Sequence, residues 1–179
     1  MGSKRIGLAR MEALMENLKR DLAMGNANFS GLNSKIIDVS SATKALSASD
    51  SGSTVLLNNG TTLTTVTLPA GSGISAGWNC QFVVLSDNTG SYVIKRGTDG
   101  ELIKGRFPVI STSADQSVVT ESTATNDTLT LHTDTGDATQ AGGMGSVVNC
   151  YCDGSAWQVW GTLISNHTNP AGVAVFSNT

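Results

Sequence analysis

Hydrophobic positions along this chain follow two different rhythms. Across residues 4–24, KRIGLARMEALMENLKRDLAM, Leu8, Met11, Met15, Leu18 and Leu22 recur at alternating spacings of three and four, and Leu14 widens the stripe on one side. Arg10, Glu12, Glu16, Asn17, Lys19 and Arg20 occupy the opposite face, with Glu16 and Arg20 four apart in the favourable order. The pattern predicts an amphipathic helix roughly 30 Å long at about 1.5 Å per residue. Gly25 is its stop, and the Gly, Asn and Ser run that follows has no period at all.

From Lys35 onward the rhythm shortens to two. KIIDV, TVLLNNG and TTLTTVTLPAG are rich in Thr, Val and Leu, and Asn58-Asn59-Gly60 supplies the turn that would close residues 54–68 into a hairpin. Val66 and Leu68 share a face that the alternation turns inward. In WNCQFVVLSD, Trp78, Cys80, Phe82 and Val84 fall on one side and Val83 and Leu85 on the other, the pattern of a central strand. SYVIKR then returns after Asn88-Thr89-Gly90 as a second hairpin. FPVIS, SVVT, DTLTLH, SVVNCYCD and AWQVWGTLI are further strands, the last two joined by Asp153-Gly154 into a third hairpin.

About ten short strands with turn signals every eight to twelve residues predict a mainly β chain. The expected architecture is an antiparallel β-sandwich or jelly roll preceded by one N-terminal amphipathic helix. The expected organisation is a helical arm over residues 1–27, a linker over 28–34, the β domain over 35–165 and a tail over 166–179. That tail would add an edge strand at residues 173–176 or swap onto a neighbour.

Composition narrows the function classes. The 179 residues hold one well-buried core and are too few for two comfortable domains. Charged residues make up only 14%, and the net charge of −3 divides unevenly. Residues 1–27 carry five Lys or Arg against three Asp or Glu, and the rest carry six against eleven. No clustered basic face results, so nucleic acid is not an expected partner. No window of eighteen apolar residues exists, and the amphipathic N-terminus does not read as a secretory signal, so neither is a membrane. Cys80, Cys150 and Cys152 make an odd count that suits a reducing cytoplasm better than a disulfide framework.

Candidate chemistry is sparse. Gly71, Gly73 and Gly77 follow a strand, but a second strand rather than a helix comes next, which excludes a dinucleotide loop. Cys150 and Cys152 share a strand face, yet no second cysteine pair completes a metal set, and small buried thiols are the expectation. His132 with Asp127 and Asp134 could do acid–base work, and Asp127, Asp134 and Asp137 could bind calcium. Their Thr- and Gly-rich turn context makes backbone capping the expected role. With no nucleophile elbow, neither an enzyme nor any metal or cofactor is expected. Trp157 and Trp160 lie three apart and so face opposite sides of a strand. The expectation is one in the core and one at a subunit contact, and the alternative is an exposed sugar platform.

Two stretches carry a resemblance. KRIGLARMEALMENLKRDLAMG resembles the N-terminal signature of small virion structural proteins of cyanophages and other marine tailed phages. Asp50-Ser51-Gly52, the VTLP run of residues 66–69, and Asp153, Gly154, Trp157 and Val159 are similar to a β-sandwich module of phage capsid decoration and tail proteins. The resemblance implies a non-enzymatic structural role in a virion assembled in the host cytoplasm. Its leading form is a homotrimeric decoration (cement) protein that binds the major capsid protein, or another virion protein, where capsomers meet. The alternative is a tail, neck or fibre component with host-glycan binding. Leu8, Met11, Leu14, Met15, Leu18 and Leu22 would be the buried side of the arm: a stripe of Leu and Met can pack on its own β domain, and the strict 3-4 rhythm with the loose linker after it favours another chain.

Overall fold

Alternating apolar and polar side chains give most of the short strands one face to bury, and the chain buries those faces between two stacked sheets. The computed structural model describes residues 10–12, 34–60, 62–70, 76–87, 90–97, 101–113, 115–132 and 140–178. The chain divides into two compact units, Met1–Asn33 and Ser34–Thr179. In the first, Arg10, Met11 and Glu12 are helical, and the remainder of the expected helix lies outside the described residues.

The second unit is mainly β. Its first six strands, β1 (Ile36–Val39), β2 (Thr43–Ala45), β3 (Ser53–Leu57), β4 (Thr64–Thr67), β5 (Asn79–Val84) and β6 (Tyr92–Lys95), alternate between the two sheets. From β3 to β6, each lies parallel to the strand two places before it, so this part of the chain winds as a coil. β7 (Ile103–Ser111) and β8 (Ser117–Glu121) then form a hairpin, β9 (Thr128–Leu131) crosses to the other sheet, and β10 (Val147–Cys152) and β11 (Trp157–Ser165) form a second hairpin. Last comes β12 (Phe176–Ser177), the antiparallel edge partner of β9. The seven-stranded sheet runs β1-β3-β5-β10-β11-β7-β8 and the five-stranded sheet β12-β9-β6-β4-β2.

This topology corrects the expected antiparallel sandwich, because five of the ten described strand pairings are parallel. Residues 54–68 are not a hairpin. β3 and β4 sit in different sheets, so the chain passes from one layer to the other between Leu57 and Thr64. Here Asn59 marks a crossing: its N–H donates to the Tyr92 hydroxyl at 3.0 Å, and its side-chain amide donates to Thr62 Oγ1 at 3.0 Å. The β5–β6 connection is likewise a crossing. Only the Asp153-Gly154 hairpin forms as expected, where Asp153 Oδ1 accepts from the Ser155 and Ala156 N–H groups at 2.8 and 2.7 Å.

Inward positions agree with the alternation. Val66, Leu68, Trp78, Cys80, Phe82 and Val84 are all buried, in one core that also holds Val55, Leu57, Tyr92, Ile94, Phe107, Trp157 and Leu163. Trp78 meets Trp157 edge to face at 5.3 Å, and Phe107 stacks on Phe176 at 5.7 Å. Val173 and Val175 are buried too, which ties the C-terminal tail to this body.

Two carboxylates set an acid limit on the fold. Burial pushes Asp50 up, but the Lys35 ammonium and the Ser47 N–H and hydroxyl outweigh it and hold its carboxyl below the usual range. Hydrogen bonds from the Gln158 side chain, then from the Ser155 and Ala156 N–H groups, depress Asp153 further. A depressed folded-state pKa contributes stability that is full above the unfolded value of about 3.9 and is lost as pH falls through the folded value. The denaturation midpoint is therefore expected to hold from neutral pH to about 5 and to drop below about 4. Asp153→Asn should flatten that drop, and an unchanged acid limb in the variant would refute the assignment.

Candidate functional site

The residues with chemical capacity are kept apart or buried. Cys80, Cys150 and Cys152 are free thiols in the core, and Cys80 lies opposite Cys150 in the β5–β10 register. Burial pushes the Cys150 thiol well up, and the neighbouring Cys80 adds to it, so Cys150 is a poor nucleophile and a poor ligand. Asp127 serves an ion pair and a neighbouring hydroxyl. Its Oδ2 pairs with Arg96 at 2.9 Å and its Oδ1 accepts from the Thr128 hydroxyl at 2.8 Å. His132 lies past the far end of β9, roughly 16 Å along the strand at about 3.3 Å per residue, with its Nδ1 at 3.0 Å from Ser91 Oγ. Asp134 and Asp137 lie outside the described residues. Among the described residues no group of three or more His, Cys, Asp or Glu is placed to hold a metal.

The two tryptophans separate as their spacing requires. Trp157 is wholly buried, and its indole N–H donates to Glu101 Oε2 at 3.1 Å. It therefore offers no surface to a glycan or a subunit. Trp160 points the other way and is 51% exposed. Of the arm residues, Met11 is 61% exposed, and Leu8, Leu14, Met15, Leu18 and Leu22 lie outside the described residues.

Trp160 does not stand alone. Register carries a single row across the outer face of the seven-stranded sheet, from Thr54 to Gln81 to Asn149 to Trp160 to Arg106 to Glu121. Gln81 Nε2 donates to Asn149 Oδ1 at 3.0 Å, and Asn149 Nδ2 reaches the Trp160 carbonyl oxygen at 3.4 Å. In the adjacent row Asn79 faces Tyr151, which is 36% exposed. These side chains line a trough of about 380 Å³. Beside it, Arg106 stands opposite Trp160 and its Nε donates to Glu121 Oε2 at 3.0 Å, and the exposed Lys104 stands opposite Gln158 in the adjacent row.

Sequence reasoning singled out Trp160 and missed Asn79, Gln81, Asn149 and Tyr151. Each is an outward position between buried ones, as in the alternation of Asn79, Gln81 and Val83 with Cys80, Phe82 and Val84, so the strand period could have marked them. That Gln81 and Asn149 stand in one row with Trp160 depends on register across three strands. Comparison with protein-family models, with curated proteins and with solved structures finds no match to this chain.

Proposed function

We propose that this protein is a non-enzymatic structural protein of a tailed-phage particle, in which the N-terminal segment attaches and the β body is displayed. The observation that carries the reading is the division of the chain at Asn33–Ser34, together with a described core drawn wholly from Ile37 to Phe176. A body with its own closed core can be carried on an arm whose apolar stripe serves another chain. The resemblance of residues 4–25 to phage virion proteins points the same way.

In the leading form it is a homotrimeric decoration protein seated where capsomers meet, and the avidity of three arms multiplies a modest single contact. Trp160 would then lie at a subunit contact. The second reading, a tail- or fibre-associated protein, is favoured by one specific observation: the exposed indole has hydrogen-bonding amides as neighbours rather than an apolar patch.

The arm supplies the test. Met15→Asp is expected to abolish binding to emptied, expanded heads or to isolated tails while the β body keeps its thermal transition, followed by near-UV circular dichroism. Should the variant lose that transition instead, the stripe belongs to the body's own core and the proposal fails.

A further inference from the structure

We propose that the trough beside Trp160 is a binding site for a neutral saccharide. The inference deepens the tail- or fibre-associated reading and rests on it for its biological setting, though not for its chemistry. Three properties of the face point to that ligand class.

The first is the pairing of aromatic and amide groups. A pyranose ring presents one face of C–H groups and a rim of hydroxyls, each of which both donates and accepts. An exposed indole offers a flat apolar face to the first, and side-chain amides offer donors and acceptors in fixed directions to the second. Gln81 spends one N–H on Asn149, and Asn149 spends one on the Trp160 carbonyl. Each amide therefore retains a further N–H, and Gln81 retains its carbonyl oxygen. Gln81 and Trp160 stand two strands apart, roughly 10 Å at the usual strand spacing. A sugar stacked on Trp160 brings its rim over Asn149, and a second ring reaches Gln81 and Asn79.

The second is neutrality. No charged side chain lines the trough; the two cations of β7 on this face, Lys104 and Arg106, stand outside it, Arg106 paired with Glu121. A ligand held over the amides therefore meets no charge in the trough itself, and a neutral glycan needs none.

The third is rigidity. Gln81, Asn149 and Trp160 stand on the adjacent strands β5, β10 and β11, held from beneath by the buried Cys80, Phe82, Cys150 and Val159. The groups are thus ordered before ligand arrives, which lowers the entropy lost on binding. A second copy of the chain fits the face less well. A stable protein interface needs about 800 Å² per partner with an apolar centre, and the apolar exposure lining this trough is one indole and one phenol.

The test uses the full chain on an array of neutral oligosaccharides, including gluco-, manno- and N-acetylglucosamine oligomers, with sialylated and sulfated glycans beside them. Hits are followed by titration calorimetry and by quenching of Trp fluorescence. The expected result is binding confined to neutral glycans and insensitive to salt. Trp160→Ala should weaken it at least tenfold, about the loss of one aromatic contact, Trp160→Phe should weaken it less, and Gln81→Ala several-fold. All three variants should melt within about 2 °C of the parent, as outward substitutions do. Absence of any neutral-glycan binding overturns the proposal, as does binding that survives Trp160→Ala or prefers the charged glycans. A concentration-dependent oligomer in sedimentation that Trp160→Ala dissolves would assign the face to a second copy instead. Immunogold labelling of purified particles tests the virion reading separately: unlabelled particles with intact glycan binding would overturn the location and leave the site standing.

Discussion

Trp157→Ala is expected to destabilise the β body by about 3–5 kcal/mol, the range for removing a fully buried large aromatic. Two losses combine. The indole fills the core against Trp78 at 5.3 Å, so its removal leaves a cavity that surrounding strands, fixed by their ladders, can close only in part. Its N–H also donates to Glu101 Oε2 at 3.1 Å, and a buried carboxylate deprived of a donor adds its own penalty. Urea denaturation should show the midpoint falling with little change in slope. Trp157→Phe separates the contributions: it keeps most of the volume and forfeits the hydrogen bond, for a loss of about 1–3 kcal/mol. Trp160→Ala is the control, expected within about 0.5 kcal/mol of the parent. Equal effects at the two positions would contradict the opposite orientations of these side chains.

Asp127→Ala is expected to cost about 3–5 kcal/mol, because it takes the carboxylate of a short ion pair away from a largely buried guanidinium. The Arg96–Asp127 pair is short at 2.9 Å, and the two side chains are only 20% and 4% exposed. Arg96 also donates to the Glu101 carbonyl oxygen at 3.2 Å, and its backbone N–H reaches the Asp127 carbonyl at 3.3 Å. The pair therefore joins the end of β6 to the start of β9, close to the carboxylate that holds Trp157. Most of the expected loss is the penalty of a largely buried guanidinium that loses this carboxylate rather than the intrinsic worth of the pair. An Arg96→Met, Asp127→Leu double variant should accordingly recover a substantial part of the stability. A double variant as damaged as the sum of its singles would show that the pair is not acting as a unit.

Both predictions concern residues whose surroundings could be read only in part from the chain. Asp127 presented itself as a turn residue among Thr and Asn, and nothing local announced Arg96, thirty-one positions earlier, as its partner. β2 was not foreseen at all. Its three residues form an edge strand with no buried side chain, and so leave no apolar alternation to detect. β7 begins four residues before the FPVIS run that signalled it, because Ile103–Arg106 mixes buried, charged and Gly positions.

What the sequence by itself determined is local. The period-two pattern turned Val66 inward and sorted the side chains of Asn79–Val84 by face, and Asp153-Gly154 settled the turn between β10 and β11. It also placed Trp157 and Trp160 on opposite faces. Only the tertiary structure decided which strands are neighbours and in which direction they run. Alternation has the same period in parallel and antiparallel ladders, so it specifies a face and leaves the partner open. Asn58-Asn59-Gly60 marked a change of direction, but whether a turn folds a strand back or sends it to the opposite sheet depends on the contacts the next strand finds. Gln81, Asn149 and Trp160 stand in one row for that reason alone: three strands distant in sequence share a register that non-local packing sets.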